Sequence, residues 1–170
     1  MENYVCCILG HRTIKVTDSI VAELTDTIER LIINNGVTTF LFGSKSQFND
    51  LCYDLVTGVK ARYPHIKRIY IRAEFPVIDN DYKTYLLKRY EDTVFPEKLI
   101  NAGRSIYVQR NYEMIDRSQY CLVYYDKSSK PHNRKSGTEI AYIYALKKNK
   151  MICLFPNHNQ KLSLQPETVV

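Results

Sequence analysis

The chain contains 170 residues, of which 45% are hydrophobic and 25% are charged, with only 6 Gly and 6 Pro. This length suits one domain, and the composition excludes a disordered or fibrous protein. The net charge of +6 favours an anionic partner, but the excess is modest and fits a phosphate-bearing small molecule as well as nucleic acid. No apolar run approaches the ~20 residues needed to cross a bilayer, so we expect a soluble, unexported protein without membrane contact.

The cysteine pattern predicts a reducing compartment. The chain has 5 Cys, an odd number, and no pair has the C-x-x-C spacing of a zinc or redox site. Because four of them lie in apolar strand-like runs, we expect reduced core thiols and a cytoplasmic location. His, Cys and carboxylate residues do not cluster with ligand spacing, so we predict neither a metal nor a cofactor.

The first half of the chain alternates short apolar runs with amphipathic stretches. The apolar runs predict buried strands, and the stretches with an apolar residue every three or four positions predict helices. We expect strands at residues 5–9, 38–42 and 66–73, and helices at 16–34 and 47–63.

The second half is less regular before the alternation returns. Residues 75–104 form an irregular insert with a short helix at about 82–90. After it we expect strands at 105–109, 120–125 and 151–155, and helices at 111–117 and 137–148. Residues 1–156 then make one domain, followed by a C-terminal tail, 157–170, that we expect to be mobile.

Strands alternating with helices at this spacing predict parallel pairing through right-handed crossovers. The expected fold class is α/β, a three-layer Rossmann-like sandwich with a mostly parallel central sheet. Ligands of such sheets bind outside the carboxyl ends of the strands. This rule places residues 10–12, 43–45 and 126–139 in one neighbourhood.

The loop after the first strand predicts an anion site. Gly10 ends the strand, and the imidazole of His11 and the guanidinium of Arg12 can donate hydrogen bonds to phosphate or carboxylate. The alternative is a turn whose basic residues are simply solvated.

The loop after the second strand has a similar design. Gly43, Ser44 and Lys45 lead into a helix N-terminus, where free amides attract anions, although the P-loop spacing is absent and an ordinary cap would look alike. Asp50 can accept a hydrogen bond from a sugar hydroxyl, or it can interact favourably with the helix dipole.

The start of the last helix is the most informative motif. Ser136, Gly137 and Thr138 let the backbone approach a phosphate, and Glu139 follows in the first turn. The alternative is a capping arrangement of the S-x-x-E type.

Asp126 ends the preceding strand and joins this neighbourhood. The loop between them is basic, with Lys127, Lys130, His132, Arg134 and Lys135. Three tyrosines, Tyr124, Tyr125 and Tyr142, are candidates for stacking on a base.

Taken together, the Ile8-Leu-Gly-His-Arg12 segment, the glycine that ends the second strand and the late Ser-Gly-Thr-Glu helix start resemble the SLOG superfamily. The resemblance covers about residues 4–155 and is strongest to the prophage-associated branch known as DUF1273 (YoqJ/YpsA-like). It implies a Rossmann-like domain that binds a nucleotide or a nucleotide-derived signal. In the related Lonely Guy phosphoribohydrolases a P-G-G-x-G-T-x-x-E loop binds phosphate, of which Gly137 and Thr138 match two positions, while the glutamate position falls on Ala141.

Three functional hypotheses follow. The leading one is a SLOG-type protein that binds a nucleotide-like small molecule. The second is an enzyme that cleaves an N-glycosidic bond, a nucleoside phosphate hydrolase or a deoxyribosyltransferase, with Glu139 as the catalytic carboxylate. The third is a Rossmann domain that binds nucleic acid or another protein, which draws on the +6 charge and the many tyrosines. We expect nucleic acid less than a small molecule as the partner. A homodimer is compatible with all three.

Overall fold

The computed structural model describes residues 3–129 and 135–156, and in these ranges it has six strands and five α-helices. The strands are β1 (Tyr4–Gly10), β2 (Val37–Phe42), β3 (Lys67–Ile71), β4 (Asp92–Val94), β5 (Tyr120–Tyr124) and β6 (Met151–Phe155). The helices are α1 (Asp18–Ile33), α2 (Gln47–Lys60), α3 (Asn80–Leu87), α4 (Ile106–Asp116) and α5 (Gly137–Lys147).

The strands form one parallel sheet in the order β4-β3-β2-β1-β5-β6. The predicted α/β, Rossmann-like fold class is therefore confirmed. Successive strands move away from β1 in one direction through β2, β3 and β4, and the chain then returns to β5 on the other side of β1. Such a reversal of strand order leaves a crevice at the carboxyl ends of the strands where it occurs, β1 and β5.

The sheet is buried on both faces, which explains the unbroken apolar run of β1. Successive strand side chains point to opposite faces. Cys6 and Ile8 pack in the core beneath α1 and α2, whereas Cys7 and Leu9 pack in the core beneath α4 and α5. A strand covered on both faces has no polar side, so its sequence does not alternate.

Four of the described helices begin at a side-chain cap, which is the Asp79 carboxylate at α3 and a hydroxyl at the other three. The hydroxyl oxygens of Thr17, Ser46 and Ser136 accept hydrogen bonds from the backbone N–H three residues later, at 3.2, 3.1 and 3.0 Å. Each cap satisfies an N–H that has no partner within the helix. The last two caps stand at the carboxyl edge of the sheet, so they also set the direction of the loops there.

The region from 75 to 116 departs most from the sequence prediction. The strand expected at 105–109 is wrong, because α4 begins at Ile106 and a 3₁₀ turn at 103–105 precedes it. Arg110, Glu113 and Met114 fall on one buried face, with the spacing of a helix. The insert also contributes a strand that the sequence did not predict, the three-residue β4, which pairs with β3 at the edge of the sheet.

Two further findings concern the cysteines and the helices. All five cysteines are free thiols, and four of them are buried. Among the described helices, none combines the length and the apolar character that a bilayer crossing requires. The predicted mobile tail and the basic residues Lys130, His132 and Arg134 lie outside the described residues.

Candidate functional site

A cavity of about 800 Å³ opens at the carboxyl ends of the strands. Its walls come from the loops after β1, β2 and β3 and from the first turns of α4 and α5. The three segments that the strand-end rule selected meet there. The predicted residues that line the cavity are Gly10, His11, Arg12, Gly43, Ser44, Lys45, Ser136, Gly137 and Thr138.

The glycines at the ends of the first two strands are required by packing. A Cβ atom on Gly10 would lie 2.3 Å from a ring carbon of Phe48, the second residue of α2. A Cβ atom on Gly43 would lie 2.7 Å from the Met114 sulfur and 2.8 Å from Cδ of Arg110. Both glycines therefore let helices approach the strand ends, which shapes the floor of the cavity.

His11 ties the first loop to the end of β5. Its Nε2 accepts a hydrogen bond from the backbone N–H of Asp126 at 3.0 Å, and its ring packs 5.6 Å from that of Tyr125. His11 therefore lines the cavity and holds the first loop against the end of β5.

The loop after β2 is held by a polar network. Ser44 donates a hydrogen bond to the Ser46 hydroxyl at 3.0 Å, and that hydroxyl accepts from the side-chain amide of Asn49 at 3.2 Å. Gln47 joins this loop to the first one, because its N–H donates to the Arg12 carbonyl at 2.9 Å. Ser46 and Asn49 are almost fully buried. Two cavity walls are thus preorganised by hydrogen bonds within the fold.

The start of α5 combines both roles that the sequence left open. Ser136 caps the helix by accepting from the N–H of Glu139, and Thr138 is buried against the cavity. A Cβ atom on Gly137 would meet nothing within 4 Å. Capping therefore leaves open space in front of Gly137, where a ligand can approach the first turn of the helix.

Three predicted residues lie elsewhere. Glu139 is half-buried and is not among the residues that line the cavity. Asp126 does not line it either, since its carboxylate accepts hydrogen bonds from the N–H and hydroxyl of Ser128 at 2.8 and 2.7 Å. These bonds lower the Asp126 pKa. Asp50 lines an adjoining cavity of about 510 Å³.

Arg110 is the clearest example of a cavity residue that the sequence did not predict. It lies on α4 and lines the cavity, yet only 5% of its surface is exposed. Its guanidinium donates to the Gly43 carbonyl and, at 3.1 Å, to the side-chain oxygen of Asn111. Burial lowers the Arg110 pKa. Within the described ranges no carboxylate forms an ion pair with it, and the charge of Glu74, which lines the same cavity, only partly offsets the effect of burial on its pKa.

The remaining charges around the cavity are mostly basic. Among the residues that the structure describes, Arg12, Lys45 and Arg72 line it together with one acid, Glu74. Glu74 is engaged, because it accepts a hydrogen bond from the Tyr107 hydroxyl and lies 4.0 Å from Lys45 Nζ. The Nε of Arg72 is buried and has no hydrogen-bond partner among the described residues. Over the same ranges, no group of three His, Cys, Asp or Glu side chains is placed to hold a metal ion.

Tyrosines line the cavity, but they are not the ones expected. Tyr124 and Tyr125 are buried beside His11 and do not line it. Tyr70, Tyr82 and Tyr107 line it instead. Tyr70 is the penultimate residue of β3, so the strand-end rule applied to β3 would have pointed to it, whereas Tyr82 comes from α3. Arg72 directly follows β3 and would have been found in the same way.

The similarity of this chain to known proteins is weak in both sequence and structure. No protein-family model matches the chain, and no curated protein matches its sequence. Among solved structures, the chain is similar to the Moco carrier protein of Chlamydomonas rheinhardtii. The two are 14% identical, the alignment covers 91% of this chain and 76% of the other, and the TM-score is 0.48. The Rossmann-like architecture rests on the strand order and connections of this chain itself.

Proposed function

We propose that the 800 Å³ cavity binds a small anionic molecule, and that this molecule is a nucleoside phosphate or a nucleotide-derived signal, as the SLOG resemblance implies. The observation that carries the proposal is Arg110. A guanidinium that is 95% buried usually has a carboxylate partner, because an unpaired charge in a protein interior is costly. A phosphate oxygen in the cavity would supply the missing negative charge.

The start of α5 supports the same proposal. The first N–H groups of a helix lack partners within the helix, and the helix dipole adds a partial positive charge there. Ser136, Gly137 and Thr138 bring this helix end to the cavity that Arg110 also lines. Arg12, Lys45 and Arg72 add further positive charge against the one carboxylate of Glu74. The cavity is therefore positively polarised on several sides.

The size of the cavity favours a small molecule over a nucleic-acid strand. Pockets for small ligands and cofactors usually enclose about 300–1,000 Å³. The cavity, at about 800 Å³, falls within that range, and its walls come from the strand ends instead of a long open groove. A mononucleotide is of suitable size for this space.

We propose binding without a bond-breaking step. The N-glycosidase hypothesis needs a carboxylate beside the sugar, and the carboxylate that it assigned, Glu139, is not a lining residue. Incubation with nucleoside 5′-monophosphates followed by chromatography for free base checks this directly. Release of base by the wild-type chain, and not by a Glu139→Gln variant, would support the enzyme instead.

Calorimetric titration tests the binding proposal. The probes are inorganic phosphate, ribose 5-phosphate and the adenosine, guanosine, cytidine and uridine 5′-monophosphates. We expect at least one of them to bind, and Arg110→Met to weaken that binding by about 10- to 100-fold, since a hydrogen bond to a charged group contributes about 1.5–3 kcal/mol. Arg104→Met is the matched control, because Arg104 is exposed and lines neither cavity.

Two results would overturn the proposal. The wild-type chain could bind none of the probes, or Arg110→Met could bind them as tightly as the wild type does. Native mass spectrometry of the freshly purified chain adds an independent measurement, because a co-purifying anion would identify the ligand class by its mass.

A further inference from the structure

We propose that the irregular insert has a specific role: it builds a second chamber that receives a planar aromatic ring of the ligand. The proposal rests on the function proposed above and adds an orientation to it. The phosphate lies against Arg110 and the start of α5, and the ring lies against the tyrosines of α3 and β3. The ligand class is thus a phosphate joined to an aromatic heterocycle, and not a sugar phosphate alone.

The second chamber adjoins the first. It has a volume of about 510 Å³, and Arg12, Ser44, Lys45, Tyr70 and Tyr82 line both cavities. A molecule that spans the two chambers would therefore pass along these shared residues.

The two chambers differ in the residues that line only one of them. Arg110 and Ser136 line the first cavity alone, whereas Tyr85, Tyr90 and Asp50 line the second alone. The buried cation and the helix N-terminus are thus at one end, and Tyr85 and Tyr90 add aromatic surface at the other. This division would orient a bound molecule, because the groups proposed to bind the phosphate and those proposed to contact the ring lie at opposite ends.

Two pairs of stacked tyrosine rings line the second chamber. The Tyr70 and Tyr90 ring centres are 5.3 Å apart with their planes 28° apart. The Tyr82 and Tyr85 centres are 6.2 Å apart with planes 13° apart. Flat aromatic faces of this kind stack on nucleobases, with little preference among them.

The two pairs also differ in how firmly the fold holds them. Tyr90 packs against Tyr53 as well, at 5.1 Å, and burial raises the pKa of its hydroxyl. Tyr85 instead remains 55% exposed on α3. Leu86 anchors that helix to the core, so the exposed ring of Tyr85 is not needed to hold α3 in place. An exposed tyrosine at the mouth of a cavity is available to cover a ligand.

Polar groups at the rim suit the edges of such a ring or its sugar. Asp50 is exposed in the first turn of α2 and offers acceptors to sugar hydroxyls or ring N–H groups. Arg89 lies 4.9 Å from the centre of the Tyr53 ring and offers donors. Both line the second chamber and neither lines the first.

The test compares ribose 5-phosphate with the four nucleoside 5′-monophosphates named above, by calorimetry and by tyrosine fluorescence. The chain has 14 Tyr and no Trp, so its emission reports on tyrosine directly. We expect at least one nucleoside monophosphate to bind about tenfold or more tightly than ribose 5-phosphate and to quench this emission.

The variants assign that difference to the insert. Tyr85→Ser should reduce the affinity ratio between the nucleotide and ribose 5-phosphate to about threefold or less. Tyr112→Ser is the matched control, because Tyr112 stacks on Tyr144 at 3.9 Å and lines neither cavity. It should leave the ratio unchanged. Thermal unfolding of each variant verifies that it is folded.

The outcomes separate the two proposals. Equal affinity of the wild type for ribose 5-phosphate and every nucleotide would contradict the proposal that the second chamber binds an aromatic ring. It would not contradict the anion site in the first chamber. Retention of the full ratio by Tyr85→Ser would do the same. If the wild type binds no phosphate probe, both proposals fail together.

Discussion

Two buried arginines, Arg68 on β3 and Arg110 on α4, differ in the groups that accept their hydrogen bonds. They are 9% and 5% exposed. Arg68 donates to both carboxylate oxygens of Glu91, at 2.8 and 3.1 Å, and to the Thr57 hydroxyl at 2.8 Å. Arg110 donates to a carbonyl and an amide oxygen, and in the described part of the chain it has no carboxylate partner.

The electrostatic consequences are opposite. The hydrogen bond with Glu91 raises the Arg68 pKa, whereas burial lowers the Arg110 pKa. The first charge is neutralised within the fold and links β3 to the segment that enters β4. The second forms no ion pair within the described residues, although the Glu74 charge acts on it, so a bound anion could pair with it directly. A buried charge therefore indicates a ligand only when its counterion is missing.

The largest expected effect concerns the stability of the two arginine variants. Arg68→Met should lower the free energy of unfolding by about 2–3 kcal/mol, because it leaves the Glu91 carboxylate without its main partner; fully buried pairs cost more, and Glu91 keeps some solvent contact. Arg110→Met should change it by less than about 1 kcal/mol, since it removes a desolvated charge that has no counterion. Urea unfolding measures both. Equal losses would contradict the contrast.

A smaller effect is expected from crowding Arg110. A Cβ atom on Gly43 would lie 2.8 Å from Cδ and 3.0 Å from Nε of Arg110. Gly43→Ala should therefore displace the guanidinium, at a stability cost of about 1–2 kcal/mol. We expect phosphate affinity to fall as well, measured by calorimetry. Unchanged affinity would show that the position of this guanidinium does not matter for binding.

Acid should weaken the ion pair of Arg68 with Glu91 but not the hydrogen bonds of Arg110, whose acceptors are a carbonyl and an amide oxygen. Burial by itself would raise the Glu91 pKa, but the hydrogen bonds and charge of Arg68, together with Lys60, outweigh it and lower the pKa from 4.5 to about 2. The folded-state pKa lies below the unfolded one, so the pair stabilises the fold above pH 4.5 and loses this contribution as the pH falls towards 2.

The size of this acid effect should be at most about 1 kcal/mol, because Glu91 remains partly exposed to solvent. Unfolding measured from pH 6 to pH 2.5 should show a steeper loss for the wild type than for Glu91→Gln, which has no carboxylate to titrate. If stability fell equally steeply with pH in the two proteins, the titration of Glu91 would not be the cause of the acid effect.

The smallest expected change in stability is at Gly137. Because a Cβ atom there meets nothing within 4 Å, Gly137→Ala should alter stability by no more than about 0.5 kcal/mol. If the ligand approaches this turn closely, the added methyl should nevertheless weaken phosphate binding. Thermal unfolding and calorimetry of the same sample separate the two effects, and a large loss of stability would mean that the turn is more tightly packed than the structure indicates.

The sequence predicted more of the fold than of the site. The apolar runs of β1, β2 and β5 and the amphipathic pattern of α1 are strong local signals, because a doubly covered strand and a half-buried helix each have a distinct hydrophobic period. β4 gave no such signal, because three residues at a sheet edge are too few to show a period. The strand expected at 105–109 failed for a related reason, since a five-residue window does not reveal the helical spacing of Arg110, Glu113 and Met114.

The order of strands and helices by itself determined that the loops after β1 and β2 and the start of α5 meet, because parallel strands all end at one edge of the sheet. Only the tertiary structure decided which side chains complete the cavity. Arg110 and Tyr82 come from α4 and α3, and no local pattern shows where those helices lie relative to the strand ends. A missing counterion likewise depends on every neighbour in space, so no stretch of sequence contains it.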